Sequence, residues 1–284
     1  MAGSTTTTLN DLLPAITAEA MFVAGERSIM RGLVKNYNLA PGQGKTITVP
    51  IYPTQTAAGV TEGDEVSNTE VATSGATLTV STAAIRTLVT DLAVASSASN
   101  VVADLGRLFG EAIARKIDTD LLALFSGFST GVGGASTAMS AALVAQAAAR
   151  LRAAGVPATD LACVLNPYVA YDLKANLTNT FANPNAGIIQ NEAMAQGYVG
   201  TLFGIPVFES SLIANTGTAG DYVGGVFHRE ALGLAMVGDM QIETQRRASY
   251  LGTDVVASAH YGVGELYDGY GVKVTADSSL VDPA

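Results

Sequence analysis

The chain has 284 residues, enough to bury about three-quarters of its unfolded surface without a disulfide or metal staple. Hydrophobic residues make up 48%, which excludes intrinsic disorder. Charged residues make up 14%, against a typical value of about 25%, so much of the surface is expected to meet protein. Fifteen Lys+Arg against 25 Asp+Glu give a net charge of -10, which argues against a nucleic-acid-binding module and against an anionic membrane surface.

Met1 to Thr8 is a polar Ser/Thr tail without the basic and apolar regions of a signal peptide, and no apolar run is long enough to span a bilayer. From Thr17 to Lys35 the spacing predicts an amphipathic helix, with Met21, Phe22, Ile29, Met30, Leu33 and Val34 on its apolar side. Arg27, Arg31 and Lys35 fall at i, i+4 and i+8 and so share one basic face, suited to solvent or to a partner's acidic surface. Pro41 to Gly44 is a turn. Ile47, Val49 and Ile51 then alternate with polar residues as a strand, and Thr77 to Ser81 is its return. Between them, Gly59 to Gly75 is polar and carries Glu62, Asp64, Glu65 and Glu70, which makes a long hairpin with a negative tip. Pro50 and Pro53 lack N–H donors and put this strand at a sheet edge. A two-stranded hairpin is marginal in water, so its apolar side must lie on the chain's own core or on a neighbouring subunit.

Ser99 to Phe125 carries a long helical pattern. Its stripe is Val101, Leu105, Leu108, Ala112, Ile113, Ile117, Leu121 and Leu124, with Leu108 and Ile117 expected in the core and Arg107, Glu111 and Arg115 outside. Such a helix is roughly 40 Å long. Ser129 to Ser136 reads as a Gly-rich loop, and Thr137 caps an Ala-rich helix ending near Ala154. Leu161–Leu165 is a buried strand. Asn166-Pro167 starts a helix to about Leu177, and a short helix is expected near 191–196. Strands follow at 206–209, 222–228, 231–237, 241–244, 253–261 and 272–275, so the class is α+β.

No catalytic constellation assembles. Gly42 to Thr46 looks like the end of a phosphate-binding loop, but its first glycine position is Leu39. Gly131 to Gly134 has no buried strand leading into it. No nucleophile elbow, zinc motif or paired cysteine spacing occurs. Cys163 is the single cysteine, so no intrachain disulfide is possible. It lies in an apolar run, and both histidines, His228 and His260, sit in strand-like segments, so structural roles are expected. No cofactor or metal is expected. An enzyme using Cys163 or His228 is the remote alternative.

The order of arm helix, hairpin, long helix, α+β module and late strands resembles the HK97-like major capsid protein of tailed bacteriophages. Gly44 to Pro50 resembles the start of that family's E-loop, Gly200 to Ser210 an axial-domain strand, and Asp254 to Gly264 with Tyr267 to Val274 the late peripheral strands. The resemblance implies an N-terminal arm (1–44), an E-loop hairpin (45–84), a peripheral domain with spine helix (85–150), an axial domain (151–238) and peripheral return strands (239–284). It implies a structural, non-enzymatic subunit of the virion capsid, assembled in the bacterial cytoplasm as pentamers and hexamers around DNA. Portal, separate scaffolding and cement proteins are the implied partners. A bacterial encapsulin is the alternative on the same fold. One branch of the family cross-links through an E-loop lysine, and this chain has no lysine between Lys45 and Lys116, so non-covalent assembly is expected. The acidic tip has two candidate receptors: Arg27, Arg31 and Lys35 on the arm, which is favoured, or Arg246 and Arg247.

Overall fold

The computed structural model describes residues 28–40, 42, 44–52, 57, 59–63, 65–66, 68, 70–71, 73–96, 101–180, 198–216 and 220–280. In chain order the helices among them are α1 (Met30–Leu33), α2 (Asp91–Ser96), α3 (Val101–Ala123), α4 (Ala141–Ala153) and α5 (Pro167–Thr180). The strands are β1 (Lys35–Leu39), β2 (Thr46–Ile51), β3 (Ser74–Thr79), β4 (Ser81–Thr90), β5 (Gly131–Ala138), β6 (Leu161–Leu165) and β7 (Tyr198–Leu202). They continue with β8 (Ile205–Glu209), β9 (Asp221–His228), β10 (Leu232–Val237), β11 (Gln241–Arg247), β12 (Gly252–Glu265) and β13 (Gly271–Asp277).

A five-stranded sheet is organised by β12. Along one edge β12 pairs with β4; along the other it pairs first with β11 and then with β10, and β1 lies parallel to β10. Val255, Ala257, Ala259 and Tyr261 alternate onto the buried face of β12, where α3 packs. A six-stranded sheet runs β5-β13-β9-β6-β8-β7, with α4 packed on β5, β13 and β9. Leu161–Leu165 is buried at every position because β6 has a strand on either side, β9 and β8. One apolar core runs from Met30 and Phe109 to Val274. Phe125, Phe128 and Phe227 fill it where the sheets meet, with the Phe125 ring centroid 5.2 Å from Phe227 and 6.1 Å from Phe128.

Several expectations are corrected. The helix expected to reach Lys35 ends at Leu33: Val34 is already extended, and Lys35–Leu39 pairs with β10. Arg31 and Lys35 therefore share no helix face, and Thr17 to Arg27 lies outside the described residues. Leu108 is not in the core but 58% exposed, whereas Phe109 and Ile117 are buried. The core-facing row steps by four through the partly buried Leu105 and the buried Phe109, Ile113, Ile117 and Leu121, and Leu108 lies beside Asp104, Glu111 and Arg115 instead. The glycine-rich stretch read as a loop is strand β5, parallel to β13. A Cβ at Gly133, which has φ 75°, would strike the Thr275 carbonyl, so glycine lets the two strands approach. Thr137 lies in that strand, and Ser140 occupies the N-cap position of α4. Strands β1 and β4 and helix α2 have no counterpart among the expected elements, Gly200 to Ser210 forms parts of two antiparallel strands, β7 and β8, rather than one, and the helix expected near 191–196 lies outside the described residues. Strands β5 and β13 lie in one sheet with β6–β9, α4 packs on that sheet, and β10 pairs with β12.

Strands β2 and β3 pair only with each other, in register from Thr46 opposite Thr79 to Ile51 opposite Ser74. The root of this hairpin is seated by Leu78, which is 1% exposed and packs with Leu39, Ala235 and Leu266. Gly233 and Gly264 face each other across β10 and β12 and form the notch that receives it. A Cβ at Gly264 would lie 2.6 Å from Leu78 Cδ2, and one at Gly233 would lie 3.0 Å from Cδ1. Gly264→Ala should therefore lower stability by about 1–3 kcal/mol through overpacking. Leu78→Ala should lower it by about 2–5 kcal/mol. Combined, they should lose less than the sum, because the new methyl fills the space Leu78 vacates. Urea unfolding of the four proteins checks this, and strict additivity would rule out the notch as the seat.

Candidate functional site

Every described residue from Ala57 to Thr73 is exposed. Beyond the seated root, the hairpin therefore presents both its acids and its apolar side chains outward. Glu62, Glu65 and Glu70 are among them, with Asp64 outside the described residues. Interleaved are Val60, Val66 (73% exposed) and Val71, with Tyr52 exposed at the end of β2. Apolar residues concentrated on an exposed segment mark a contact surface.

A second exposed apolar group lies at the far end of β12. The turn from β11 to β12 carries Tyr250 and Leu251, and α2 brings Leu92 next to it: the Asp91 N–H donates to the Leu251 carbonyl at 2.9 Å. Leu251 is 69% exposed and held at φ 44°, a left-handed conformation that a bulky side chain rarely adopts. Phe203, at the tip between β7 and β8, is likewise exposed with φ 53°.

Ion pairs brace the first of these turns. Arg246 holds Asp91 through two hydrogen bonds of 2.5 and 2.6 Å, which keeps that exposed carboxyl below its ordinary range. On the opposite face of β11, Arg247 reaches Asp254 at 2.6 Å and lies over the Tyr250 ring. Arg86 on β4 reaches the same carboxylate at 2.9 Å. Asp254 is buried, so one carboxylate ties β4, β12 and β11 together. Both arginines proposed as receptors thus have partners within the chain. On the arm side, Lys35 pairs with Glu230 at 3.5 Å, Arg31 is exposed, and Arg27 lies outside the described residues. The structure does not bring Arg31, Lys35, Arg246 and Arg247 into one patch.

Of the residues weighed for catalysis, Cys163 and His228 are buried and His260 is partly exposed. Cys163 is fully buried on β6, and burial pushes its thiol up to about 12. His228 is buried at the end of β9, where its Nδ1 accepts the Glu230 N–H at 3.2 Å. His260 Nδ1 meets the Thr82 hydroxyl at 2.8 Å. Among the described residues no three His, Cys, Asp or Glu side chains are grouped to hold a metal ion. Tyr250, Leu251 and Leu92 were missed in the sequence. The available signal was Ala248 to Gly252, a turn between strands with bulky residues where Asn, Asp or Gly would be favoured.

A family profile described as phage capsid protein matches residues 32–274. No curated protein is a significant match. Among solved structures, a Mycobacterium phage Che8 chain is similar at 21% identity and TM-score 0.68, covering 87% of this chain and 90% of that one. The capsid of cyanophage P-SCSP1u is similar at 21% identity and TM-score 0.65, covering 89% of each. The head of Helicobacter pylori bacteriophage KHP40 is similar at 11% identity and TM-score 0.67, covering 89% of this chain and 91% of that one. At these identities the likeness establishes the fold.

Asp254→Asn should lower stability by about 1–3 kcal/mol, since it removes the charge that two guanidiniums share. Once Asp254 is replaced, Arg247→Ala should add little further loss. Thermal melts of the single and double variants check this; equal, independent losses would count against a shared clasp.

Proposed function

This chain belongs to the phage capsid protein family, and we propose that its copies close as pentamers and hexamers into an icosahedral shell around packaged DNA. An encapsulin is not favoured, because the matched family and the similar structures described above are phage proteins. The observation that carries the reading is the hairpin, whose root is seated in the body while its tip presents Val60, Val66 and Val71 among Glu62, Glu65 and Glu70. A neighbouring copy would cover that tip. Repeated heterologous contacts of this kind close rings.

The receptor we favour on the neighbour is the end of the five-stranded sheet: Leu92, Tyr250 and Leu251 for the valines, with Arg86 and Arg247 at the margin for the carboxylates. The arm is the weaker alternative because Lys35 begins a strand, so it shares no helix face with Arg31. Each exposed ion pair contributes only about 0–1 kcal/mol, so apolar contact dominates and charge sets the orientation. The subunit has no catalytic role in this reading. The virion shell is its location, and assembly would take place in the host cytoplasm with a portal and with separate scaffolding or cement proteins. No lysine lies between Lys45 and Lys116, so the hairpin beyond its first residue has no amine for cross-linking, which supports a non-covalent shell.

Val66→Asp should leave the subunit's stability within about 0.5 kcal/mol and abolish closed particles. Leu251→Asn should stabilise the subunit by up to about 1 kcal/mol, because asparagine tolerates the left-handed backbone, yet also impair assembly. Melting of the soluble subunit and negative-stain microscopy of assembly reactions check both. Normal particles from both variants would overturn the proposed contact.

A further inference from the structure

Ser28 and Ile29 enter the body between two hollows on α3. The entry is clasped. The Ser28 hydroxyl donates to Asp118 Oδ1 at 2.6 Å, the Ile29 N–H donates to Oδ2 at 3.0 Å, and the Arg31 N–H donates to Ser28 Oγ at 3.3 Å. One hollow, of about 80 Å³, is bordered by Ser28 and lined mainly by Ile113, Ala114 and Ile117 of α3 with Met236, Met240 and Ala259. A single water needs about 10–15 Å³, so this apolar hollow has room for one large side chain. The other, of about 200 Å³, is bordered by Ile29. Among its described lining residues are three carboxylates, Glu111, Asp118 and Glu209, and one guanidinium, Arg115. Glu111, Arg115 and Asp118 fall at i, i+4 and i+7, a row of α3 next to the one that lines the apolar hollow.

We propose that these two hollows are the docking site of residues 21–27 of the same chain, with the Phe22 ring in the apolar hollow and the Arg27 guanidinium between Glu111 and Glu209. The apolar side expected over 17–35 is already half seated on the body: Met30 and Val34 are fully buried, and Leu33 packs on the core. Its other members are Met21 and Phe22, and Arg27 directly precedes Ser28. Phe22 lies six positions before Ser28, and six extended residues span at most about 22 Å, so the hollow that Ser28 borders is within its reach. The clasp at Ser28 also decides between occupants. It holds residues 21–27 of its own chain at a high effective concentration beside the hollows, whereas a second copy would pay the full cost of association. Charge agrees, because Arg27 meets a hollow in which carboxylates outnumber the guanidinium, while the acidic hairpin tip of another copy would be repelled there. Docking of this kind covers Ile117 and Met240 and leaves Arg27 unavailable as a receptor for that tip. It is a property of the subunit and stands independently of shell formation.

Urea unfolding of the dilute, full-length subunit tests it. Phe22→Ala should lower the folding equilibrium constant by about tenfold or more, through loss of a buried ring. In a Met240→Ala background, where the hollow no longer grips the ring, the same substitution should cost clearly less. Arg27→Glu should lower the constant by up to about fivefold at low salt and by less at high salt. An unchanged constant in Phe22→Ala, or an equal loss with and without Met240, would overturn the apolar half of the site. A loss in Arg27→Glu that ignores salt would overturn the polar half. A short bismaleimide added to the variant with Phe22→Cys and Met240→Cys identifies the occupant, since Cys163 is fully buried and does not compete. A cross-link within one chain, at monomer mass, is the expected product. A cross-linked dimer would overturn the assignment to the same chain and give the hollows to a second copy, and no cross-link would overturn the docking itself.

Discussion

One strand carries the architecture. The 14 residues of β12 serve three ladders, with β4 along one edge and β11 then β10 along the other. Its side chains divide by face. Val255, Ala257, Ala259 and Tyr261 meet α3, while Asp254 on the other face collects Arg86 and Arg247. Its last third is glycine-rich, and there the hairpin root crosses it through Leu78. Shortening β12 would therefore disturb the sheet and the hairpin seat together, because both are defined by its register.

Few charges are available, and three of the four buried aspartates among the described residues hold backbone. Asp118 on α3 accepts from the Ser28 hydroxyl at 2.6 Å and the Ile29 N–H at 3.0 Å, which fixes the start of α1 against the long helix. Burial raises Asp118, and these bonds only partly offset it. Asp172 on α5 accepts the Ser279 N–H at 2.7 Å, and Asp221 accepts the Ser136 N–H at 3.1 Å. Each captures a segment at a point where no ladder satisfies its N–H, and an unpaired buried N–H would be costly.

The parts legible in the sequence were those with local causes. Leu161–Leu165 was readable because a continuous apolar run means strands on both sides, and Asn166-Pro167 because a cap and an N1 proline act within one turn; the Asn166 side chain does accept the Tyr168 N–H at 3.0 Å. The late strands were readable from alternation and glycine punctuation. The missed elements have distant causes. Lys35–Leu39 is a strand only because the edge of β10, some 200 residues later, pairs with it. Ser81–Thr90 follows β3 with only Val80 between them and no turn residue to announce a new strand. The spacing of Leu108 fits a broad apolar stripe, yet the contacted row is narrower. At the candidate contact surface, the acidic tip was visible as composition, whereas the Arg246–Asp91 brace joins residues 155 apart and leaves no local trace.

What distinguishes the proposed contact surfaces is that strain and apolar surface coincide there. Leu251 and Phe203 are both bulky, both exposed and both held with positive φ at turns between strands. A turn selected only for the fold would place Asn, Asp or Gly there, at no loss to the core. Retained strain of this kind is the signal on which the proposed role of these side chains outside the subunit rests. The hairpin tip follows the same logic in another form: its valines contribute nothing to the chain's own core, while its root is fixed by Leu78. Rigid seats with exposed apolar ends suit contacts that are individually weak and become strong by repetition. Misplaced copies can then dissociate, whereas a closed arrangement, in which every end is covered, cannot lose one contact without breaking several.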